Sequence, residues 1–352
     1  MRVMVFAYLD NNIGDDLMLM LLSRKFPQHE FYLYTSNSVV RENLSKYSNF
    51  VLRQPGQRRS DLGVIDVVLS IGGSIFNDLN SLRGKIARLR KIAFLVGARL
   101  QGKRIVTIGC NLGPYNDLAG LYLTAAELKL NSLVTVRDKA SYALISRFSL
   151  NNCHLADDLV YGVDVPVRSS PRNGLGVSAF RSTHGGETNF ENYRAIALLI
   201  DGYVRRTGKP VKLFAFDSEC ENDLSAAFHI MDLVEYKQNV KIVPYLGDVG
   251  SFIAEFDGCE VQLAIRFHAA VLSDVMGIGF VPIAYSNKME ALIADKFPGF
   301  KSMKISQLTH TSTVVPEIID SVVNFSTICL GRGLKGNSQV HFEKLEAIFN
   351  ES

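Results

Sequence analysis

The sequence predicts an α/β protein built from two doubly wound domains with a cleft between them. Three observations carry this. Short apolar runs alternate with longer amphipathic stretches along both halves. A proline- and serine-rich break interrupts the alternation near the middle. At 352 residues the chain also exceeds one ordinary α/β domain and suits two.

In the first half, apolar runs at 3–8, 30–34, 64–71, 104–108 and 133–136 read as strands, with helical patterns at 15–25, 86–100 and 139–146. Two prolines and two serines then fall within 165–174, a domain crossing that divides the chain into 1–168 and 169–352. Beyond it the alternation restarts. Strands are predicted at 175–180, 211–216, 241–243, 261–264 and 280–284, and helices at 192–206, 222–236, 248–255, 269–276 and 288–295. A terminal helix at 340–349 closes the second domain.

Composition narrows the function classes. Hydrophobic residues make up 47% and charged residues 21%, the balance of a globular chain with a sizeable core. A net charge of +3 suits an anionic substrate or an acidic membrane surface but lacks the basic stripe of a nucleic-acid binder. The basic stretches at 53–59 and 85–91 read as solvated faces. Five scattered cysteines show neither metal-ligand nor redox spacing, so no metal is expected and a reducing cytoplasm is the simpler setting. The apolar start ends at Asp10 and reads as a strand, not a signal peptide. No stretch approaches the ~20 apolar residues of a membrane span, so any membrane contact is peripheral.

In open α/β sheets ligands bind at the carboxyl ends of strands, and the chemistry-bearing residues fall there. Asn11-Asn12-Ile13-Gly14-Asp15 follows the first strand. Gly14 permits a tight turn and the helix start offers N–H groups to an anion or a sugar hydroxyl, although on spacing alone a plain helix cap at Asp15 is the simpler reading. Gly72-Gly73-Ser74, with Asn77 and Asp78, lets a ligand approach the backbone, yet matches neither a dinucleotide fingerprint nor a Walker loop. Gly109-Cys110-Asn111-Leu112-Gly113 turns at another strand end. Arg137-Asp138 reads as a structural ion pair with Asp138 capping a helix, and Asp157-Asp158 as a second acidic loop. In the second half Ser178-Ala179-Phe180-Arg181 brings an arginine to a strand end, and Arg266-Phe267-His268 opens an apolar helix. An arginine grips phosphate or carboxylate, and a histidine moves protons near neutral pH.

Taken in order, these segments resemble the polysaccharide pyruvyl transferase family, over roughly residues 3 to 288 and including the run from Phe280 to Lys288. Three departures stand out. Phe267 replaces a leucine of the Arg-Leu-His element, one extra residue separates Ser178 from Arg181, and Ser74 stands where a third glycine is usual. The resemblance implies two Rossmann-like domains facing across a cleft, as in GT-B glycosyltransferases. It implies phosphoenolpyruvate as donor and co-substrate, bound by the second domain, with no further cofactor. Arg266 and Arg181 would hold the donor's anionic groups beside Phe267, and His268 would move a proton. Asp15, Asn12, Gly14, Gly72, Gly73, Ser74 and Asp78 on the first domain would meet the acceptor, a glycan or lipid-linked sugar, with Asp15 as a candidate base. Two other readings stay open: a nucleotide-sugar glycosyltransferase on the same frame, and a non-catalytic glycan-binding or scaffold subunit.

Overall fold

The computed structural model describes every residue except 77–80, 116, 149, 151, 166–169, 182, 185–186, 189, 220, 326–328, 334–335 and 352, and gives only the backbone of 183–184 and 187–188. Asn77, Asp78, Cys220 and residues 166–169 of the predicted crossing therefore lie outside the described residues.

The chain forms two compact units. The first comprises Met1–Leu9, Asp15–Gly162 and Gly336–Ser352, and the second Asp10–Gly14 and Val163–Lys335. The first unit runs β1 (Arg2–Phe6), α1 (Ile13–Lys25), β2 (Glu30–Tyr34), α2 (Ser38–Leu44), β3 (Phe50–Arg53), α3 (Arg58–Asp61) and β4 (Val67–Ile71). It continues through α4 (Leu82–Leu100), β5 (Arg104–Cys110), α5 (Leu118–Lys129), β6 (Leu133–Val136), α6 (Lys139–Ser146) and β7 (Cys153–Leu155). Its seven strands order β3-β2-β1-β4-β5-β6-β7, and every neighbouring pair is parallel. Such a sheet is covered on both faces, which is why β4 is buried along its whole length.

The second unit runs β8 (Leu175–Ser178), the short β9 (Thr183–His184) and β10 (Glu187–Thr188), α7 (Phe190–Thr207), β11 (Val211–Ala215), α8 (Asp223–Leu233) and β12 (Val240–Pro244). Then follow α9 (Val249–Asp257), β13 (Val261–Ala264), α10 (Phe267–Met276), β14 (Gly279–Ala284), α11 (Asn287–Lys296), β15 (Met303–Lys304) and α12 (Thr311–Asn324). Its main sheet orders β12-β11-β8-β13-β14-β15, again all parallel. Val177, Leu213 and Leu263 from the sheet and Ile196, Ile200 and Ile318 from the helices form its core. In both sheets the strand order reverses beside the first strand, between β1 and β4 and between β8 and β13. A doubly wound sheet offers its ligand crevice at that switch point.

The terminal helix α13 (Gln339–Asn350) departs from the sequence expectation, since it counts with the first unit and not the second. Contacts with residues far back in the chain explain this. Asp157 and Asn337 exchange hydrogen bonds: the Asp157 N–H donates to Asn337 Oδ1 at 2.6 Å, and the Asn337 N–H to Asp157 Oδ2 at 3.0 Å. His341, fully buried, bridges Thr135 Oγ1 and the Asp157 carbonyl, both at 2.6 Å. A proton on Nε2 satisfies both contacts, and burial lowers the imidazole to about 4, so the ring is neutral at ordinary pH. The Thr135 hydroxyl in turn accepts the Gly109 N–H at 3.0 Å, tying the helix to the turn after β5.

Candidate active site

The second unit brings Arg181, Arg266, Phe267 and His268 to its switch point. Ser178, at the end of β8, is fully buried, and its hydroxyl accepts the N–H groups of Ile265 and Arg266 at 2.7 and 3.1 Å while donating to the Leu263 carbonyl at 3.2 Å. One side chain thus fixes the turn from β13 into α10 and with it the directions of Arg266 and His268. Its partner in the motif, Arg181, is exposed three residues further on.

Arg266 is not a free cation, contrary to what the sequence suggests. Its guanidinium is held edge-on by Asp223, with Nε donating to Oδ2 at 2.8 Å and Nη2 to Oδ1, while Nη1 donates to Glu221. The guanidinium sits over the Phe180 ring, 4.9 Å from its centroid, and Phe180 stacks on Tyr285 at 4.1 Å. Asp223 has no solvent exposure, whereas the Glu221 side chain is 54% exposed. Burial first, and then the neighbouring Asp217 carboxylate, push the Asp223 carboxyl well above the usual range. The bidentate arginine opposes that shift and completes a buried pair. The sequence motifs alone point to none of Asp217, Glu221, Asp223, Phe180 or Tyr285 as a site residue. The available signal was the density of carboxylates from Asp217 to Asp223, directly after β11.

The N-terminal motif divides between the units. Asn12 and Gly14, expected on the first domain, count with the second. Asn11 takes a left-handed φ of 54°, which turns the chain after β1. The Ile13 N–H then donates to the Phe216 carbonyl at 3.1 Å, and Asn12 forms an antiparallel bridge with Asp217. Asn12 also accepts the Gly14 N–H through Oδ1 at 2.9 Å. Glycine is required at position 14 by proximity: a Cβ there would fall 1.9 Å from Nδ1 of His268. The imidazole therefore packs directly against the Gly14 backbone, and Phe267 meets it edge to face at 5.2 Å.

In the first unit Asp15 and the glycine loop come together. A Cβ on Gly72 would lie 3.7 Å from Asp15 Oδ1, and Gly72 itself has a φ of +134° that disfavours other residues. Gly73 admits the Arg137 guanidinium, whose Nη1 would sit 2.1 Å from a Cβ at that position. Arg137 pairs not with Asp138 but with buried Asp158, Nη1 to Oδ2 at 2.7 Å, and donates from Nη2 to Asn111 at 2.7 Å. Asp138 does cap α6, accepting the Ser141 N–H at 2.7 Å. The Ser74 carbonyl accepts the Tyr8 hydroxyl at 3.2 Å. Among the described residues, no cluster of three or more His, Cys, Asp or Glu side chains could hold a metal ion.

Two parallel doubly wound sheets, each with its polar residues at a switch point, define a GT-B-like protein, and solved structures share that fold. The UDP-GlcNAc 2-epimerase of Neisseria meningitidis, solved bound to UDP-GlcNAc, is 13% identical with a TM-score of 0.61, over 99% of this chain and 100% of that one. The enzyme of the same name from Methanocaldococcus jannaschii is 10% identical with a TM-score of 0.61, over 100% of this chain and 99% of that one. Anabaena Alr3699/HepE, solved with UDP and glucose, is 9% identical with a TM-score of 0.59, over 100% and 99%. At such identities the likeness concerns the fold alone. No curated protein matches the sequence. The chain belongs to the polysaccharide pyruvyl transferase family, whose model matches residues 12–287.

Proposed function

We propose that the protein transfers the pyruvyl group of phosphoenolpyruvate to a sugar of a polysaccharide or of its lipid-linked precursor, forming a cyclic ketal and releasing phosphate. The observation that carries this reading is the grouping of Arg181, Arg266 and His268 at one switch point, with His268 in the first turn of α10. A donor with a phosphate and a carboxylate needs two cationic contacts and a group that moves protons.

The residues divide the work as follows. Arg181, exposed, takes one anionic group of the donor. Asp223 holds one edge of Arg266, so its remaining contact is Nη1, where the donor's other anionic group takes the place of Glu221. The methylene carbon of the donor gains a proton and a sugar hydroxyl adds to the neighbouring carbon. The bond to phosphate then breaks and a second hydroxyl closes the ketal. Two hydroxyl protons are released, one balancing the new methyl group and the other leaving with phosphate. His268 carries a proton in this exchange, held in place by the Gly14 backbone. Asp15 and the Gly72-Gly73-Ser74 loop, together with Asn12, are assigned to the acceptor. No metal or resident cofactor enters the balance. Phosphoenolpyruvate is an intracellular metabolite, so the reaction is assigned to the cytoplasm.

Calorimetric titration tests the donor assignment. Phosphoenolpyruvate is expected to bind the wild-type protein, and Arg181→Ala to weaken it about tenfold, the effect of one charge-assisted contact. Binding of a UDP-sugar with none of phosphoenolpyruvate would overturn the proposal in favour of a nucleotide-sugar glycosyltransferase.

A further inference from the structure

Helix α4 turns its apolar side away from the unit it belongs to. Leu82, Ile86, Leu89, Ala93, Val96 and Leu100 follow one another at alternating spacings of four and three. At 100° per residue they fall within an arc of about 80°, along roughly 27 Å of helix. That arc is exposed: Leu82 is 75%, Leu89 52% and Leu100 84% accessible. The opposite face makes the contact with the fold, through buried Leu95 and Ala98. Two cations join that inner face. Arg88 and Lys91 reach Glu127 of α5 at 2.8 and 2.7 Å, so the basic stretch at 85–91 is not wholly the solvated face its sequence suggests.

Along α4 itself the charges beside the stripe are of one sign. Helix α4 carries six Lys and Arg residues and no Asp or Glu. Arg83, Arg90 and Arg99 are exposed. Among the described residues of α5 and its cap, Glu127 faces inward and Asp117 is paired with Lys85, so neither offsets those arginines. Leu118 and Tyr122 of α5 are exposed as well.

We propose that α4 docks on an anionic lipid bilayer, lying in its plane with the apolar stripe at the boundary of headgroups and acyl chains and the arginines at the phosphates. An amphipathic helix with this division of apolar and basic residues is the form that binds such surfaces. A second copy of the chain fits less well. Two α4 stripes packed together would bring arginines beside arginines, with no acidic residue on either helix to pair them. No described helix is long and apolar enough to cross a membrane, and docking of α4 requires none.

The test is vesicle flotation with the full chain, comparing phosphatidylcholine vesicles with vesicles containing phosphatidylglycerol, at low and high salt. The wild type is expected to float with the anionic vesicles only, and less at high salt. Leu89→Glu combined with Val96→Glu is expected to lower binding at least tenfold while keeping the thermal midpoint. Arg90→Glu is expected to weaken binding about fivefold and to reduce the salt dependence. Equal flotation of the Leu89/Val96 variant, or no flotation of the wild type, would overturn the proposal. So would a wild-type dimer that ignores vesicles and dissociates in that variant, which would make the stripe a self-interface. None of these readouts depends on pyruvyl transfer.

Discussion

Replacing Arg266 with alanine is expected to lower unfolding free energy by about 3–5 kcal/mol, the cost of leaving a buried charge without its partner. The charge in question is Asp223, which has no solvent exposure and takes two hydrogen bonds from that guanidinium. Denaturant unfolding at several pH values measures the loss, and its pH dependence identifies the cause. In the variant, burial and Asp217 hold the Asp223 carboxyl above its unfolded value, opposed by backbone N–H groups but no longer by the guanidinium. A carboxyl raised in the folded state favours folding below its unfolded pKa, and that advantage is lost as pH rises through the folded value. The deficit of Arg266→Ala should therefore grow from acid toward neutral pH, and Asp223→Asn in the same chain should recover part of it. A deficit below about 1 kcal/mol, flat with pH, would show that Asp223 does not depend on Arg266. Transfer activity should be lost as well, even where the variant is fully folded.

The second large effect is expected at Gly14, a residue with no side chain to contribute. An alanine Cβ would fall 1.9 Å from His268 Nδ1, a distance no packing tolerates, so the imidazole must move or the chain after β1 must shift. If His268 carries a proton in the reaction, Gly14→Ala should lower kcat by about a hundredfold or more, the usual contribution of general acid–base catalysis. Donor affinity should change far less, because Arg181 and Arg266 are retained. Steady-state kinetics separates the two. A variant that keeps kcat and loses only KM would place His268 in donor binding instead of proton transfer.

The fold was largely legible because parallel sheets write themselves as buried apolar runs. The strands at 30–34, 133–136 and 261–264 have the bounds the sequence suggested. What escaped has physical reasons. β3 is a four-residue edge strand, too short for a period to show. Helix α5 has apolar residues on its exposed face, at Leu118 and Tyr122, so its amphipathic pattern is blurred. The sequence pattern starts α4 four residues late, because Gly84 masks a turn that the Ser81 hydroxyl caps by accepting the Gly84 N–H at 3.0 Å. The terminal helix looks continuous with the second domain, and contacts across the chain, among them Asn337 on Asp157, His341 on Thr135 and Phe342 and Phe349 on Phe26, assign it to the first unit.

The candidate site divides the same way. The strand-end motifs exposed Arg266, His268 and Arg181, since strand ends and helix starts are visible locally. The partners of Arg266 were not visible, because Asp223 and Glu221 stand 43 and 45 residues away, at the start of α8 and in the turn that follows β11. The same holds for Gly14, whose tightest neighbour is a histidine of a strand–helix turn far along the chain. A sequence names which residues have chemistry to offer, and the fold decides which of their charges are already engaged.

The most direct measurement of the central claim is phosphate release from phosphoenolpyruvate in the presence of a panel of glycan acceptors, with mass spectrometry of the glycan product. The account predicts release that depends on one class of acceptor and matches, mole for mole, the pyruvylated sugar formed. Phosphate released without a pyruvylated product, or no release with any acceptor while a UDP-sugar is turned over, would contradict it.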